Sequence, residues 1–168
     1  MTAPQPPAAA EPAMSAAAIV PGPEWTLTFV LRSSGIHAGH WLLPRGTISP
    51  EESAEQAARR AAESDAGVRT GVLAPTGIYE VHGSGGADDE PYHVHLHVYR
   101  ALRPCAVPDG FTGDPAEVAG IDQAHPQRVL PHPVDMLVLN DAGLADYDPD
   151  LVRRLLNADG VTVTRVDL

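Results

Sequence analysis

Several short segments of the chain are dominated by apolar and β-branched residues and are separated by turn-forming Gly, Ser and Pro. Such segments are typical of β-strands. We predict strands at residues 25–32, 41–43, 68–81, 92–102, 117–122 and 161–166, and helices at residues 50–65, 134–144 and 149–156. A Gly-rich acidic loop at residues 83–90 joins two of the strands. The alternation of strands with helices predicts an α/β or α+β layered domain.

The first predicted helix has clear signals at both ends. Ser49 can cap it, Pro50 fits the first helical position, and Glu52 can reach back to the cap amide. Gly67 can take the left-handed conformation that commonly ends a helix. We therefore expect a helix from about Pro50 to Asp65. Its small residues should pack closely on a sheet, and these are Ala54, Ala57, Ala58, Ala61 and Ala62.

Residues 1–23 are rich in Ala and Pro and contain one acid and no basic residue. This composition lacks the variety of apolar side chains that a packed core needs. We expect a disordered N-terminal segment at residues 1–23 and a single folded domain at residues 24–168. Pro4, Pro6, Pro7 and Pro12 interrupt the stretch, which is unlike the apolar part of a secretory signal.

Composition excludes several classes of function. The formal net charge is -11, which argues against a nucleic-acid-binding surface because phosphate neutralisation needs clustered basic residues. No apolar run approaches the roughly 20 residues that span a bilayer, so we expect no membrane insertion. Cys105 is the only cysteine and cannot form an intramolecular disulfide. All 11 basic residues are Arg, a bias typical of a GC-rich genome, and we expect a cytoplasmic bacterial protein.

Residues 46–68 carry the most specific motif. A Gly turn, a capped helix with acids and Arg, and a closing Gly resemble the Nudix box, whose pattern is Gly, five residues, Glu, seven residues, then Arg-Glu-apolar-x-Glu-Glu-x-Gly-apolar. The frame fits without a gap, with matches at Gly46, Glu52, Arg60, Gly67 and Val68. The resemblance implies a Nudix-like α/β/α sandwich with a mixed β-sheet and a hydrolase acting on a diphosphate.

The same resemblance assigns roles to individual residues. It implies that Arg45, Gly46 and Arg60 contact the substrate. Gly46, Glu52, Arg60 and Gly67 also have a structural interpretation, since capping and an ion pair between Glu52 and Arg60 would shape the loop without any catalysis. The Trp-x-x-Pro-basic-Gly stretch that ends at Gly46 is similar to members that cleave dinucleoside or inositol polyphosphates.

Two acidic positions of the box are replaced. Ala61 stands where Glu follows the Arg, Ser64 stands for the first of the paired Glu, and Asp65 remains. In the family these carboxylates hold Mg²⁺, which bridges a diphosphate and activates water. Glu117 stands where members of the family often add a further carboxylate. The resemblance therefore implies a metal site of Asp65 and Glu117, with Mg²⁺ or Mn²⁺ bound weakly and largely through the substrate.

A row of histidines forms a second candidate site. Strand side chains alternate between faces, so His93, His95 and His97 should share one face of their strand. Neutral imidazoles bind Zn²⁺ and other transition metals, and a histidine can act as a general base near neutral pH. We expect His95, with Glu117, to supply the catalysis that the box lacks, and the row is an alternative metal site. In the simpler interpretation these are half-exposed strand residues with hydrogen-bonded rings.

Two functions from different classes remain open on the sequence. The chain is either a divergent Nudix-type hydrolase with weak activity on a nucleoside-diphosphate-linked or other diphosphate substrate, or an inactive Nudix-fold module that binds a nucleotide-like ligand or a protein partner. The matched frame favours a retained pocket, whereas the missing acids favour binding over turnover. The sequence does not identify the substrate and leaves open whether the protein forms a homodimer.

Overall fold

The computed structural model describes residues 12–84 and 90–167. In chain order, the strands and helices are β1 (Ala13–Ile19), β2 (Leu27–Arg32), β3 (Trp41–Leu42), β4 (Arg45–Thr47), α1 (Ala54–Ala66), β5 (Leu73–Ser84), β6 (Pro91–Ala101), β7 (Val118–Ala124), α2 (Pro133–Asp141), α3 (Pro149–Asp159) and β8 (Thr162–Arg165). None of the helices in these two ranges is long and apolar enough to cross a membrane. Every strand and helix predicted above has a counterpart, and most of the predicted 83–90 loop lies outside the described residues.

The described strands form two sheets. The larger sheet has the strand order β4-β1-β6-β5-β8, and the smaller one has the order β3-β2-β7. β1 runs parallel to β6, whereas the other neighbouring strands are antiparallel. The larger sheet is therefore mixed, as predicted.

Helices cover both faces of the larger sheet. On one face, α1 packs on β1 through alanines that are fully buried, and Ala16 and Ala18 belong to the same cluster. On the other face, Ala17 and Ile19 of β1 share a core with residues of β2, α2 and α3. Because successive strand residues point to opposite faces, β1 contributes to both layers. This arrangement confirms the predicted α/β/α sandwich and the close packing of α1.

The boundary predicted at residue 24 is wrong. Residues 13–19 form β1, which lies between β4 and β6, and its residues from Ala16 to Ile19 are fully buried. Ala has a low intrinsic strand preference, so the composition of this segment conceals the strand. The small side chains are explained by packing, since the alanine face of α1 lies directly on this strand. Residues 1–11 of the predicted disordered segment lie outside the described ranges.

The start of α1 also differs from the prediction. The helix begins at Ala54, and its cap is Ser53, whose hydroxyl accepts from the Gln56 amide while the Gln56 side chain accepts from the Ser53 amide. Ser49 and Glu52 make the predicted contact, a 2.9 Å hydrogen bond from the Ser49 amide to Glu52 Oε1, but within the preceding turn. Two overlapping capping patterns were present, and the later one starts the helix. The end at Gly67 is as predicted, with φ of 71°.

Candidate functional site

The motif residues border a cavity of about 530 Å³ at the edge of the larger sheet that is formed by β4. Strand β4 carries Arg45 and Gly46 to its edge, and α1 presents one side of its last two turns. The predicted residues that line it are Arg45, Gly46, Arg60, Asp65 and Glu117. Sequence positions up to 72 residues apart, from Arg45 to Glu117, therefore meet at one site.

Arg32, at the end of β2, forms an ion pair with Asp65, the acid that the motif retains. Asp65 Oδ2 accepts a 2.5 Å hydrogen bond from Arg32 Nη2 and a 3.3 Å hydrogen bond from the Arg45 amide. The two side chains are only 11% and 5% exposed. Burial raises the pKa of Asp65, and the Arg32 guanidinium opposes that rise. A largely buried ion pair thus occupies the position where the resemblance implies a free metal-binding carboxylate.

A second guanidinium is anchored in the same way. Asp135 of α2 is fully buried, accepts a hydrogen bond from the Leu43 amide at 2.7 Å and forms an ion pair with Arg45 Nη2. Arg45 Nε is also buried, yet it has no hydrogen-bond partner among residues 12–84 and 90–167. Buried N–H groups are almost always paired, because an unpaired one costs about 1–3 kcal/mol. Arg45 lines the cavity, while its Nε stays buried behind that surface.

The side chains at the motif do not fit the magnesium site that the resemblance implies. Mg²⁺ requires near-octahedral oxygen coordination, usually with carboxylates and waters. The side chain of Ala61 offers no ligand. The Ser64 hydroxyl donates to the Ala61 carbonyl at 3.4 Å, and the Asp65 carboxylate is paired with Arg32. Glu117 is the only other acid among the described residues that line the cavity. The guanidinium of Arg32 would also repel a cation at Asp65.

Glu52 and Arg60 form an ion pair, as expected from the structural interpretation of these two motif residues. Arg60 Nη2 and Nε donate to the two carboxylate oxygens of Glu52 at 2.7 and 3.2 Å, and Nη2 also donates to the Thr47 carbonyl at 2.6 Å. The hydrogen bonds from Arg60 lower the pKa of Glu52 to about 2. This fork holds the loop between β4 and α1 in place, so Arg60 acts mainly on the shape of the cavity.

The histidine row lies on the opposite face of the larger sheet from the cavity. Val94 and Leu96 line the cavity, and strand alternation turns His93, His95 and His97 away from it. The register agrees, because Leu96 lies opposite Ser15 of β1, which also lines the cavity. His95 is therefore not among the described residues that line the cavity with Glu117, and its role as a base there stays a prediction from the sequence. Alternation showed that the histidines share a face, but only the sheet topology shows which face.

A different histidine lines the cavity. His37 stacks on His132 with ring centroids 3.8 Å apart, and its Nε2 lies 3.0 Å from the Tyr92 hydroxyl. Burial, with the positive charge of Arg45 among the lesser causes, lowers the pKa of His37 to about 2. The ring is therefore neutral at pH 7 and is a poor proton acceptor.

Sequence reasoning missed Arg32 and His37. Arg32 is one charged residue at the end of an apolar strand, and His37 lies in a Ser- and Gly-containing turn. Neither position has a local pattern that points to the motif. Their roles arise from pairings with Asp65 and His132, which are distant in sequence.

Comparisons with known proteins agree with this architecture. The family model for the NUDIX domain matches residues 12–143. No curated protein sequence matches the chain. Among solved structures, the MutT NUDIX hydrolase from Burkholderia pseudomallei is similar with a TM-score of 0.58 and 18% identity, over 78% of this chain and 98% of that one.

Two further solved structures are similar to a comparable degree. A NUDIX hydrolase from Nitrosomonas europaea has a TM-score of 0.56 and 19% identity, over 84% of this chain and 95% of that one. The NUDIX domain of Shewanella oneidensis NrtR, complexed with ADP ribose, has a TM-score of 0.58 and 16% identity, over 83% of this chain and 91% of that one. At these identities the likeness concerns the fold.

Proposed function

Because the chain belongs to the Nudix family, we propose that its cavity binds a diphosphate-containing, nucleotide-like ligand and that binding, rather than rapid hydrolysis, is its main activity. The observation that carries the proposal is the pair of anchored guanidinium groups, Arg32 and Arg45, beside a motif that has lost two of its acids. This observation favours binding over hydrolysis as the main activity, which is one of the two functions that the sequence left open.

The charges at the cavity suit a diphosphate. Arg presents a planar set of donors that matches phosphate oxygens, and its hydrogen bonds to anions are stronger than neutral ones. Arg45 lines the cavity, so its guanidinium would bind a phosphate oxygen there. Arg32 would contribute positive charge while its contact with Asp65 fixes its orientation.

The same residues argue against efficient hydrolysis. Nudix hydrolases generally use divalent metals, and the ligand set for such a metal is incomplete here at Ala61 and Ser64. Loss of a positioned acid or base typically costs about 10² to 10⁴ in rate. His37 cannot compensate, because its low pKa makes it a weak base. Glu117 is the remaining acid at the cavity, so any residual hydrolysis with Mg²⁺ or Mn²⁺ should depend on it.

ADP-ribose is a suitable first probe. It contains a diphosphate between two organic groups, and the NUDIX domain of Shewanella oneidensis NrtR has been solved with it bound. Dinucleoside polyphosphates and nucleoside triphosphates extend the test to ligands with more phosphates. The identity of the preferred ligand would follow from the order of affinities in this panel.

We expect Arg45→Lys to weaken ADP-ribose binding by about tenfold or more, measured by calorimetry. The substitution keeps a positive charge opposite Asp135 but removes the planar guanidinium, whose donors match phosphate oxygens, and a hydrogen bond to a charged group contributes about 1.5–3 kcal/mol. Arg103→Lys, in an exposed segment outside the cavity, is the matched control. Equal affinities for the two variants and the unmodified protein would contradict the proposal. If Arg45→Lys unfolds the protein, Arg45→Gln with Asp135→Asn removes both charges and repeats the test.

Several properties stay predictions from the sequence: a cytoplasmic location, a bacterial source, and no binding to nucleic acid or membranes. A homodimer stays open as well. They fit a protein with a small-molecule ligand. Size-exclusion chromatography with light scattering would establish the oligomeric state.

A further inference from the structure

A cluster of histidines and one glutamate lies on the face of the larger sheet opposite the cavity. β5 and β6 pair so that Glu80 lies opposite His95 and His82 lies opposite His93. Residues two apart on a strand share a face, so these four residues form a square on the same side. We define them as the hairpin cluster.

Three members of the hairpin cluster already converge. One ligand atom from each of Glu80, His82 and His93 lies within 4.8 Å of the other two. The rings of His82 and His93 stack with centroids 4.0 Å apart, and Glu80 contacts His93 directly. Zn²⁺ lies about 2.0–2.2 Å from His and carboxylate ligand atoms, so two ligand atoms of one ion are at most about 4.4 Å apart. The separations in the hairpin cluster are close to this limit. A small rotation of the imidazoles would be sufficient to close a site.

The fourth member supports the carboxylate. His95 Nδ1 lies 2.6 Å from Glu80 Oε1, while His93 contacts the other oxygen of Glu80. Ligand carboxylates in metal sites are commonly held by such an outer hydrogen bond, which fixes their orientation. His97 is not one of the converging residues, so the ligand set differs from the row predicted along one strand.

The residues that pair with the hairpin cluster on the neighbouring strands β8 and β1 carry no positive charge. On β8, Thr164 lies opposite Glu80 and Thr162 lies opposite His82, while on β1 Met14 lies opposite His95. His82 is exposed and the other three residues of the cluster are half-buried. An ion could therefore reach the cluster from solvent without opening the fold.

We propose that Glu80, His82 and His93 bind one Zn²⁺, or a similar transition-metal ion that prefers imidazole, with His95 as a positioning residue for Glu80. Two imidazoles and one carboxylate favour Zn²⁺ over Mg²⁺, which prefers oxygen ligands and keeps its waters. The site is independent of the proposed ligand cavity because the sheet separates the two.

Equilibrium dialysis of the full-length protein against Zn²⁺, after removal of metals with EDTA, tests the proposal. We expect one Zn²⁺ per chain, with micromolar or tighter affinity. His93→Ala should weaken Zn²⁺ binding by about tenfold or more, because it removes a ligand. His82→Ala should have the same effect. A change in the imidazole signals of both residues on Zn²⁺ addition, recorded by NMR, would assign the ligands directly.

His40→Ala is the matched control, because His40 belongs to the other group of histidines, around His37 and His132. It should leave Zn²⁺ affinity unchanged. Absence of Zn²⁺ binding, or binding that is lost with His40→Ala and kept with His82→Ala and His93→Ala, would overturn the proposal. Circular dichroism of each variant excludes unfolding as the cause of a loss. ADP-ribose affinity should be the same with and without Zn²⁺, which separates this test from that of the cavity.

Discussion

Arg32→Gln is expected to destabilise the protein by about 3–5 kcal/mol, since it leaves the buried Asp65 carboxylate without its ion-pair partner. The Arg45 amide is the other donor to Asp65, at the longer distance of 3.3 Å, and cannot replace a guanidinium. The loss would appear as a lower urea midpoint at pH 7 with an unchanged dependence on urea concentration. This effect is large relative to the total stability of a small domain.

The double variant Arg32→Gln with Asp65→Asn separates the ion pair from other effects of the substitution. Removing both charges should recover most of the lost stability, because no unpaired buried charge remains. Arg100→Gln, at an exposed position on β6, is the control for loss of an arginine. Our interpretation of the pair would be refuted by a single variant as stable as the control. If the double variant is stable, its weaker binding of ADP-ribose would report the charge that Arg32 supplies.

Ala61→Glu with Ser64→Glu is expected to strengthen Mg²⁺ binding at the cavity. Both positions line the cavity beside Asp65, and two further carboxylates approach the oxygen-rich set that hard divalent cations require. We expect Mg²⁺ affinity to rise on the order of tenfold or more, because carboxylate number strongly tunes affinity for such ions. Thermal unfolding should then shift to higher temperature with added Mg²⁺, as for any ligand that binds only the folded state.

Arg59→Glu is the matched control for this pair of substitutions. It also changes the net charge by two units, but Arg59 is exposed and, at about 100° per residue, lies on the side of α1 remote from positions 61, 64 and 65. It should leave the Mg²⁺ response unchanged. An equal response in the control would mean that net charge, rather than the motif, controls cation binding. A double variant that folds but shows no Mg²⁺ response would mean that the motif no longer directs these side chains to a common point.

Much of the fold followed from local patterns. Local patterns predicted the end of α1 at Gly67, its alanine face and the order of strands and helices, because each depends on residues close in sequence. β1 was not, since Ala13–Ile19 becomes a strand only by pairing with β4 and β6 and packing beneath α1. Tertiary contacts here override a weak local preference.

The candidate site was predictable in its motif residues and not in its charge pairing. The family resemblance assigned Arg45, Asp65 and Glu117 to one site, but Arg32 and Asp65 are 33 residues apart and meet only through the fold. The histidine row illustrates the same limit. One strand shows which of its residues share a face, whereas the cross-strand partner Glu80 and the separation from the cavity depend on sheet register.

In the proposed function, arginine side chains rather than a bound divalent cation neutralise the ligand's diphosphate. Calorimetric titration of ADP-ribose into the unmodified protein, once in EDTA and once in Mg²⁺ and with the recovered ligand examined for cleavage, tests this role of the arginines. We predict the same dissociation constant in both solutions and little cleavage. Binding that disappears in EDTA, or that becomes tighter by on the order of tenfold in Mg²⁺ with rapid cleavage, would contradict the claim and identify an active metal-dependent hydrolase.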